Sequence, residues 1–269
     1  MMARRCAAFQ ISPEALEAAL EGRVLQVYYQ PVVDCASGAL VGFESLARWP
    51  HPDLGMILPH QFIPIAERSG LIGPLVSQLM EEALSWFAES FGGTATTITM
   101  NLSALLLSDL QLPGWLIQRC SDLAINPRQI ILAIPESDAI MSQSSTTNLV
   151  MQLRLHGFPL CIGNFGVGYS SLRQLAQLPF SELKIDKRIV RQASESEEAR
   201  EVVGRVIGLS KAVSLQVTAN GVGDEWTFDF LRRRGCDAAQ GSWIAPPMDS
   251  AATLAWCESW TGRHDENPS

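Results

Sequence analysis

The chemistry of this chain concentrates around Leu160-Cys-Ile-Gly-Asn-Phe-Gly-Val-Gly-Tyr-Ser-Ser171. The pattern reads as a short buried strand over 158–162 that delivers a glycine-rich loop and opens a helix near Ser170. Gly163, Asn164, Gly166 and Gly168 let backbone approach a ligand closely, and polar groups gather at a strand end. Gly163 and Asn164 carry no charge, so the loop has the frame of a catalytic site without its acids. Other predicted strand ends supply Gln30, Glu44 with Arg48, Asn101, Ala133 with Glu136, Lys184 with Asp186, Asn220 and Gln240. Strand ends also meet water in a purely structural barrel, so any one of these residues has a bland reading as well. Arg48 could pair with Glu44 at a rim, and Gln30 could cap a strand end.

The elements that would bring these residues together follow from local signals. Ser12-Pro13-Glu14 places an N-cap, a first-turn proline and a first-turn acid at a helix start that Gly22 ends. Strands are predicted over 24–30, closed by Pro31, and over 40–48, followed by a loop at 50–55. The short link between them makes them antiparallel neighbours. Further strands fall at 96–101, 129–134, 158–162, 182–186, 215–219 and 237–240. Helices are expected at 59–67, 71–90, 115–123, 142–156, 170–177, 197–213, 224–235 and 251–260, with a short start at 103–110. Strands alternating with helices, about eight times, imply a largely parallel sheet closed into an α/β barrel. The strand ends then converge on one mouth. One domain is expected over 12–260, with a disordered start at 1–11 and a polar tail at 261–269.

The bulk numbers set limits. The chain of 269 residues is 47% hydrophobic and 18% charged, with a formal net charge of −8. It can bury a sizeable core, and it lacks the basic face of a nucleic-acid binder. Six cysteines, at Cys6, Cys35, Cys120, Cys161, Cys236 and Cys257, form no C-x-x-C pair, which speaks against a disulfide framework or zinc site. The start has no apolar run of signal-peptide type, and no segment has the length of about 18 apolar residues expected of a spanning helix. A cytoplasmic protein with no membrane association is expected.

Taken together, Tyr28-Tyr-Gln-Pro31, Glu44-Ser-Leu-Ala-Arg-Trp49, Pro59-His-Gln-Phe-Ile-Pro64, Asn101-Leu-Ser103, Asn164-Phe-Gly-Val-Gly-Tyr-Ser-Ser-Leu172, Leu183-Lys-Ile-Asp186, Gly221-Val222 and Gln240-Gly241 resemble the EAL domain, the cyclic di-GMP phosphodiesterase module of bacterial signalling proteins. The resemblance covers roughly 13–250. It implies a modified TIM-type (β/α)8 barrel with one antiparallel strand. Active members of that family hydrolyse the ligand with two Mg²⁺ or Mn²⁺ ions, which need several convergent carboxylates. Carried over, the family's catalytic positions keep Glu44, Asn101, Lys184 and Gln240. Acids expected at 133, 163, 164, 220 and 223 are instead Ala133, Gly163, Asn164, Asn220 and Gly223. Glu136 keeps the position that supports the neighbouring loop.

The resemblance therefore implies a catalytically degenerate member with no resident metal or other cofactor. Ligand contacts are expected from Gln30, Glu44, Leu46, Arg48, Pro59, Asn101, Asn164, Lys184, Gln240 and Pro246, with Arg48 facing a phosphate. The expected function is binding of cyclic di-GMP without hydrolysis, with or without a protein partner. The alternatives are a docking module that has abandoned the nucleotide and a weakly active phosphodiesterase. Trp49, Trp226 and Trp243 are candidates for an interface or for the pocket. The loop Gly166-Val-Gly-Tyr-Ser-Ser171 matches one that couples the family's site to dimer contacts, so a homodimer is also expected.

Overall fold

The computed structural model describes residues 11–103, 105–106, 111–136, 144–166 and 179–261. The predicted helix at 170–177, the loop 167–171, most of 103–110, nearly all of the N-terminal segment and most of the tail lie outside them.

Among the described residues nine strands form one sheet: β1 (Gln26–Asp34), β2 (Leu40–His51), β3 (Gly55–Ile57), β4 (Thr97–Asn101), β5 (Ile130–Pro135), β6 (Leu160–Phe165), β7 (Glu182–Ile185), β8 (Gln216–Asn220) and β9 (Ala238–Gln240). Their order is β1-β9-β8-β7-β6-β5-β4-β2-β3, and a β1–β2 pairing closes the ring. Since β3 pairs only with β2, eight strands make the barrel. All barrel neighbours run parallel except β1, which is antiparallel to both β2 and β9. The expected TIM-type barrel with one antiparallel strand is what forms.

Around it stand α1 (Pro13–Glu21), α2 (Pro59–Ser69), α3 (Ile72–Phe91), α4 (Leu112–Asp122), α5 (Ser144–Leu155), α6 (Lys187–Gln192), α7 (Glu197–Ala212), α8 (Glu225–Arg233) and α9 (Ser250–Ser259). Local chemistry sets several of their starts. Ser12, Asp186, Ser196, Asp224 and Asp249 each accept a backbone N–H of the first turn through the side chain. In α3 the residues Ile72, Leu75, Met80, Ala83, Leu84 and Phe87 share a buried face at helical spacing. The main core lies between barrel and helices and includes a Tyr29–Trp86 stack with ring centroids 3.7 Å apart. A second core joins α1, α2 and α3 around Phe62 and Trp49.

Several expectations need correction. Pro31 does not end its strand, because β1 continues through it to Asp34. Tyr29 exchanges backbone hydrogen bonds with Met248 and so points its N–H away from β2. Two residues on, Pro31 has the same parity and faces an edge that β9 reaches only at Val33, so no ladder bond is missed. The stretch read as a loop at 50–55 is strand up to His51 and then a hairpin with β3. The strand read as ending at 162 runs to Phe165 and takes in Gly163 and Asn164. The short α6 was not anticipated. Trp49, 2% exposed, is a core residue rather than an interface one.

The free edge of β1 can be accounted for donor by donor. Val27 N–H is accepted by Glu82 Oε1 at 2.9 Å, Tyr29 N–H by Met248 O at 2.7 Å, Pro31 has none, and Val33 joins β9. Glu82→Ala therefore orphans a buried-edge donor and is expected to lower unfolding free energy by about 1–3 kcal/mol. Glu82→Gln, which keeps an acceptor, is expected to lose less; denaturant titration of the three proteins measures both.

Candidate functional site

At the barrel's centre the residues alternating inward from the strands meet. Glu44 of β2 is 7% exposed and sits among groups from four other strands. Its Oε1 accepts from Asn101 Nδ2 at 2.9 Å, at the end of β4. Its Oε2 accepts from Gln240 Nε2 of β9 at 2.7 Å and lies 3.2 Å from Lys184 Nζ of β7. Gln240 Nε2 also donates to Gln30 Oε1 of β1 at 2.8 Å, while its own Oε1 accepts from Lys184 at 3.2 Å. Gln30 Nε2 completes the chain on the carbonyl of Ala245 at 2.9 Å. Burial alone would raise the Glu44 carboxyl. The Lys184 ammonium and the hydrogen bonds from Asn101, Gln240 and Lys184 more than offset it, so the group is held below its ordinary value.

The neighbouring positions are small or neutral. Ala133 is 1% exposed and pairs in register with Cys161, while Gly163 pairs with Pro135. A Cβ on Gly163 would sit 4.0 Å from the Ala133 Cβ, so the two positions address one spot. Beneath it Ile131, Ala133 and Cys161 form a small apolar cluster. Asn164 is exposed at φ 54, in the left-handed region that asparagine tolerates, where the β6–β7 register shifts. Gly223 is exposed and Asn220 half-buried.

Two divalent ions do not fit this donor set. No group of three His, Cys, Asp or Glu is placed to hold a metal among the described residues. Both oxygens of Glu44 already accept hydrogen bonds. Asp186 is used in capping α6 and pairing with Arg188 Nε at 2.8 Å. Glu136, 1% exposed, accepts from the Gly166 N–H at 2.8 Å. Hard cations require several free anionic oxygens, and among the described residues none converge here.

Above the network opens a cleft of about 690 Å³. Gln30, Glu44, Leu46, Arg48, Pro59, Asn101, Asn164 and Pro246, all read as contacts from the sequence, line it. Lys184 and Gln240 do not; at 5% and 0% exposure they lie under the floor and hold Glu44. Arg48 does not pair with Glu44. Its guanidinium donates to Ala47 O at 2.8 Å and lies 5.6 Å from the Tyr28 ring centroid, leaving other donors for a ligand. Ile63, Ile72, Leu75, Val76 and Leu79 of α2 and α3 form an apolar wall. Trp243 packs on Phe228 and is not in the lining. Sequence reasoning missed Lys187 and Arg191, whose only signal was their i, i+4 spacing just after β7.

A parallel barrel with one reversed strand and a cleft at its strand ends defines a TIM-type barrel protein. The EAL domain model matches residues 13–247, and the chain belongs to the EAL domain family. It is 35% identical over 245 residues to MucR of Pseudomonas aeruginosa, a bifunctional diguanylate cyclase/cyclic di-GMP phosphodiesterase, covering 89% of this chain and 35% of that protein. It is 31% identical over 247 residues to PdeB of Escherichia coli, a probable cyclic di-GMP phosphodiesterase, covering 90% and 46%. The chain thus spans less than half the length of these relatives. The solved PaMucR phosphodiesterase in complex with c-di-GMP superposes with TM-score 0.85 at 34% identity, over 90% of this chain and 98% of that one. No helix among the described residues is long and apolar enough to cross a membrane.

Lys184→Met would leave the Glu44 carboxylate buried without its cation, an expected loss of about 3–5 kcal/mol at neutral pH. Because the folded-state value of Glu44 is depressed, the wild-type contribution is present above the unfolded value and is lost as pH falls through the folded one. The difference between wild type and variant should therefore shrink on acidification, as urea unfolding at pH 7 and pH 4 would show. A pH-independent difference would mean that Glu44 is not ionised in the fold.

Proposed function

We propose that this chain binds cyclic di-GMP and does not hydrolyse it, serving as a receptor in bacterial cyclic di-GMP signalling. The observation that carries this reading is the charge state of the cleft. Its central carboxylate is neutralised from below by Lys184, while Arg48 presents guanidinium donors from the rim. Of the two acids in its lining, Glu44 is matched by Lys184 and Glu67 accepts from Ser103 Oγ, while Arg48, Lys187 and Arg191 outnumber them, so entry of a dianionic dinucleotide does not require metal ions to shield repulsion. Hydrolysis needs an activated water, and the acids that would hold metals to activate it are replaced at 133, 163, 164, 220 and 223. Gln30, Pro59, Asn101 and Pro246 are proposed as further contacts to the ligand.

A protein partner is a second reading. Trp226 on α8 is 42% exposed, stacks on Phe230 with centroids 5.6 Å apart, and carries Arg200 over its outer face. An exposed aromatic–arginine surface suits protein recognition. A homodimer remains part of the proposal; its expected contact loop, 167–171, lies outside the described residues.

Calorimetry with cyclic di-GMP in EDTA is expected to give micromolar binding, weakened about tenfold or more by Arg48→Ala. Incubation with Mg²⁺ or Mn²⁺ is expected to leave the ligand intact. Metal-dependent release of pGpG would overturn the non-catalytic reading, and an absence of binding heat would favour the protein-docking one.

A further inference from the structure

Lys187 and Arg191 line the cleft and have no place in the ligand contacts expected from the sequence. They stand four residues apart on α6, which sets them on one face of the helix. Neither side chain has a hydrogen-bond or ion-pair partner among the described residues. Arg188 between them is turned to Asp186 and is absent from the lining. Ionisable lining residues are otherwise Arg48, Glu44, Glu67 and His60; Glu44 is matched by Lys184, and Glu67 accepts from Ser103 Oγ at 2.7 Å. The cleft is thus locally cationic in a chain of net charge −8.

The placement of α6 is built in. It follows β7 directly and lies against Gly166, just after β6, and Gly221, just after β8. Gly166, at φ +101, has the tip of the Ile189 side chain of α6 where a Cβ would stand. Gly221, at φ +88, would put a Cβ 2.9 Å from the Lys187 Cα. Both positions have a left-handed backbone, and at Gly221 the approach is to the backbone of α6, so a larger residue there would push α6 away. Asn164 and Asn220, where the family resemblance expects acids, line the cleft alongside it.

Ring order gives the arrangement its meaning. From β2, which carries Arg48, to β7, which leads into α6, is four steps through β1, β9 and β8, and four steps through β4, β5 and β6. The two sets of cations therefore stand on opposite sides of the mouth. A cyclic dinucleotide carries two phosphodiesters on opposite sides of its macrocycle, each with one negative charge.

We propose that Lys187 and Arg191 form a second phosphate clamp, diametrically opposite Arg48, and supply from the protein the positive charge that divalent ions would otherwise bring. The proposal deepens the receptor reading above and rests on it. Arg191 provides a planar fork for the phosphodiester oxygens and Lys187 a point charge. One cation set per phosphate also favours ligands with two separated anionic groups over mononucleotides.

The test is calorimetry with cyclic di-GMP in EDTA at low and high salt, on wild type, Lys187→Gln/Arg191→Gln, Lys187→Arg/Arg191→Lys and Arg48→Ala. Thermal melts of all four check folding. The glutamine pair is expected to lose about 10- to 100-fold in affinity and to bind with a shallower salt dependence than wild type. The charge-conserving swap is expected to keep most of the affinity. A glutamine pair that binds as wild type does, with the same salt dependence, while Arg48→Ala binds weakly, would overturn the clamp and leave the receptor reading standing. No binding by wild type would overturn both.

Discussion

The barrel is organised around one buried carboxylate. Glu44 brings a negative charge into a nearly dry interior, where an unmatched ion would cost several kcal/mol. Its compensation is distributed: an ammonium from β7, amides from β4 and β9, and a link onward to β1. Five strands must therefore be in register before the charge is satisfied. A slip of one residue in β2 would turn Glu44 outward and leave Lys184 alone inside. The network acts as a register lock, stabilising only the correct closure, including the antiparallel seam where β1 and β9 share just two residue pairs.

The same lock sets the electrostatics of the mouth. Since Lys184 cancels Glu44 from beneath the floor, the field in the cleft is left to the rim, where arginine and lysine outnumber free carboxylates. Net acidity and a cationic cleft are compatible, because the chain's distant charge is screened within a Debye length of about 8–10 Å while short-range charge decides what the cleft accepts.

Much of this was legible in the sequence, because the strongest signals are local and repeated. Ser12-Pro13 predicted a capped helix start, and alternating strands and helices predicted the barrel. Glu44, Asn101, Lys184 and Gln240 were all picked out as strand-end residues that converge. The failures were those of context. Pro31 signals a strand end only if its missing N–H faces a partner, and parity relative to Met248 cannot be read along the chain. Trp49 looks like an interface residue until α2 and α3 bury it. Lys184 and Gln240 resembled ligand contacts, but depth along a strand separates the cleft wall from its foundation, and only three dimensions give depth. Lys187 and Arg191 were overlooked because no helix was expected over 187–192, and among its three cations, Lys187, Arg188 and Arg191, nothing in the sequence tells which two face the cleft.

The apolar spot beneath Gly163 bears on how such a chain changes over generations. Ala133 and Gly163 face each other above Cys161, whose thiol burial holds well above its ordinary value and keeps uncharged. A single substitution that put a carboxylate at either position would add a second buried anion near Glu44 with nothing to bind it, and would be penalised on its own. Only several acids arriving together could recruit a metal and repay that cost. A lineage that changes these positions one at a time meets a barrier, so the packing that stabilises the cleft also guards its present chemistry.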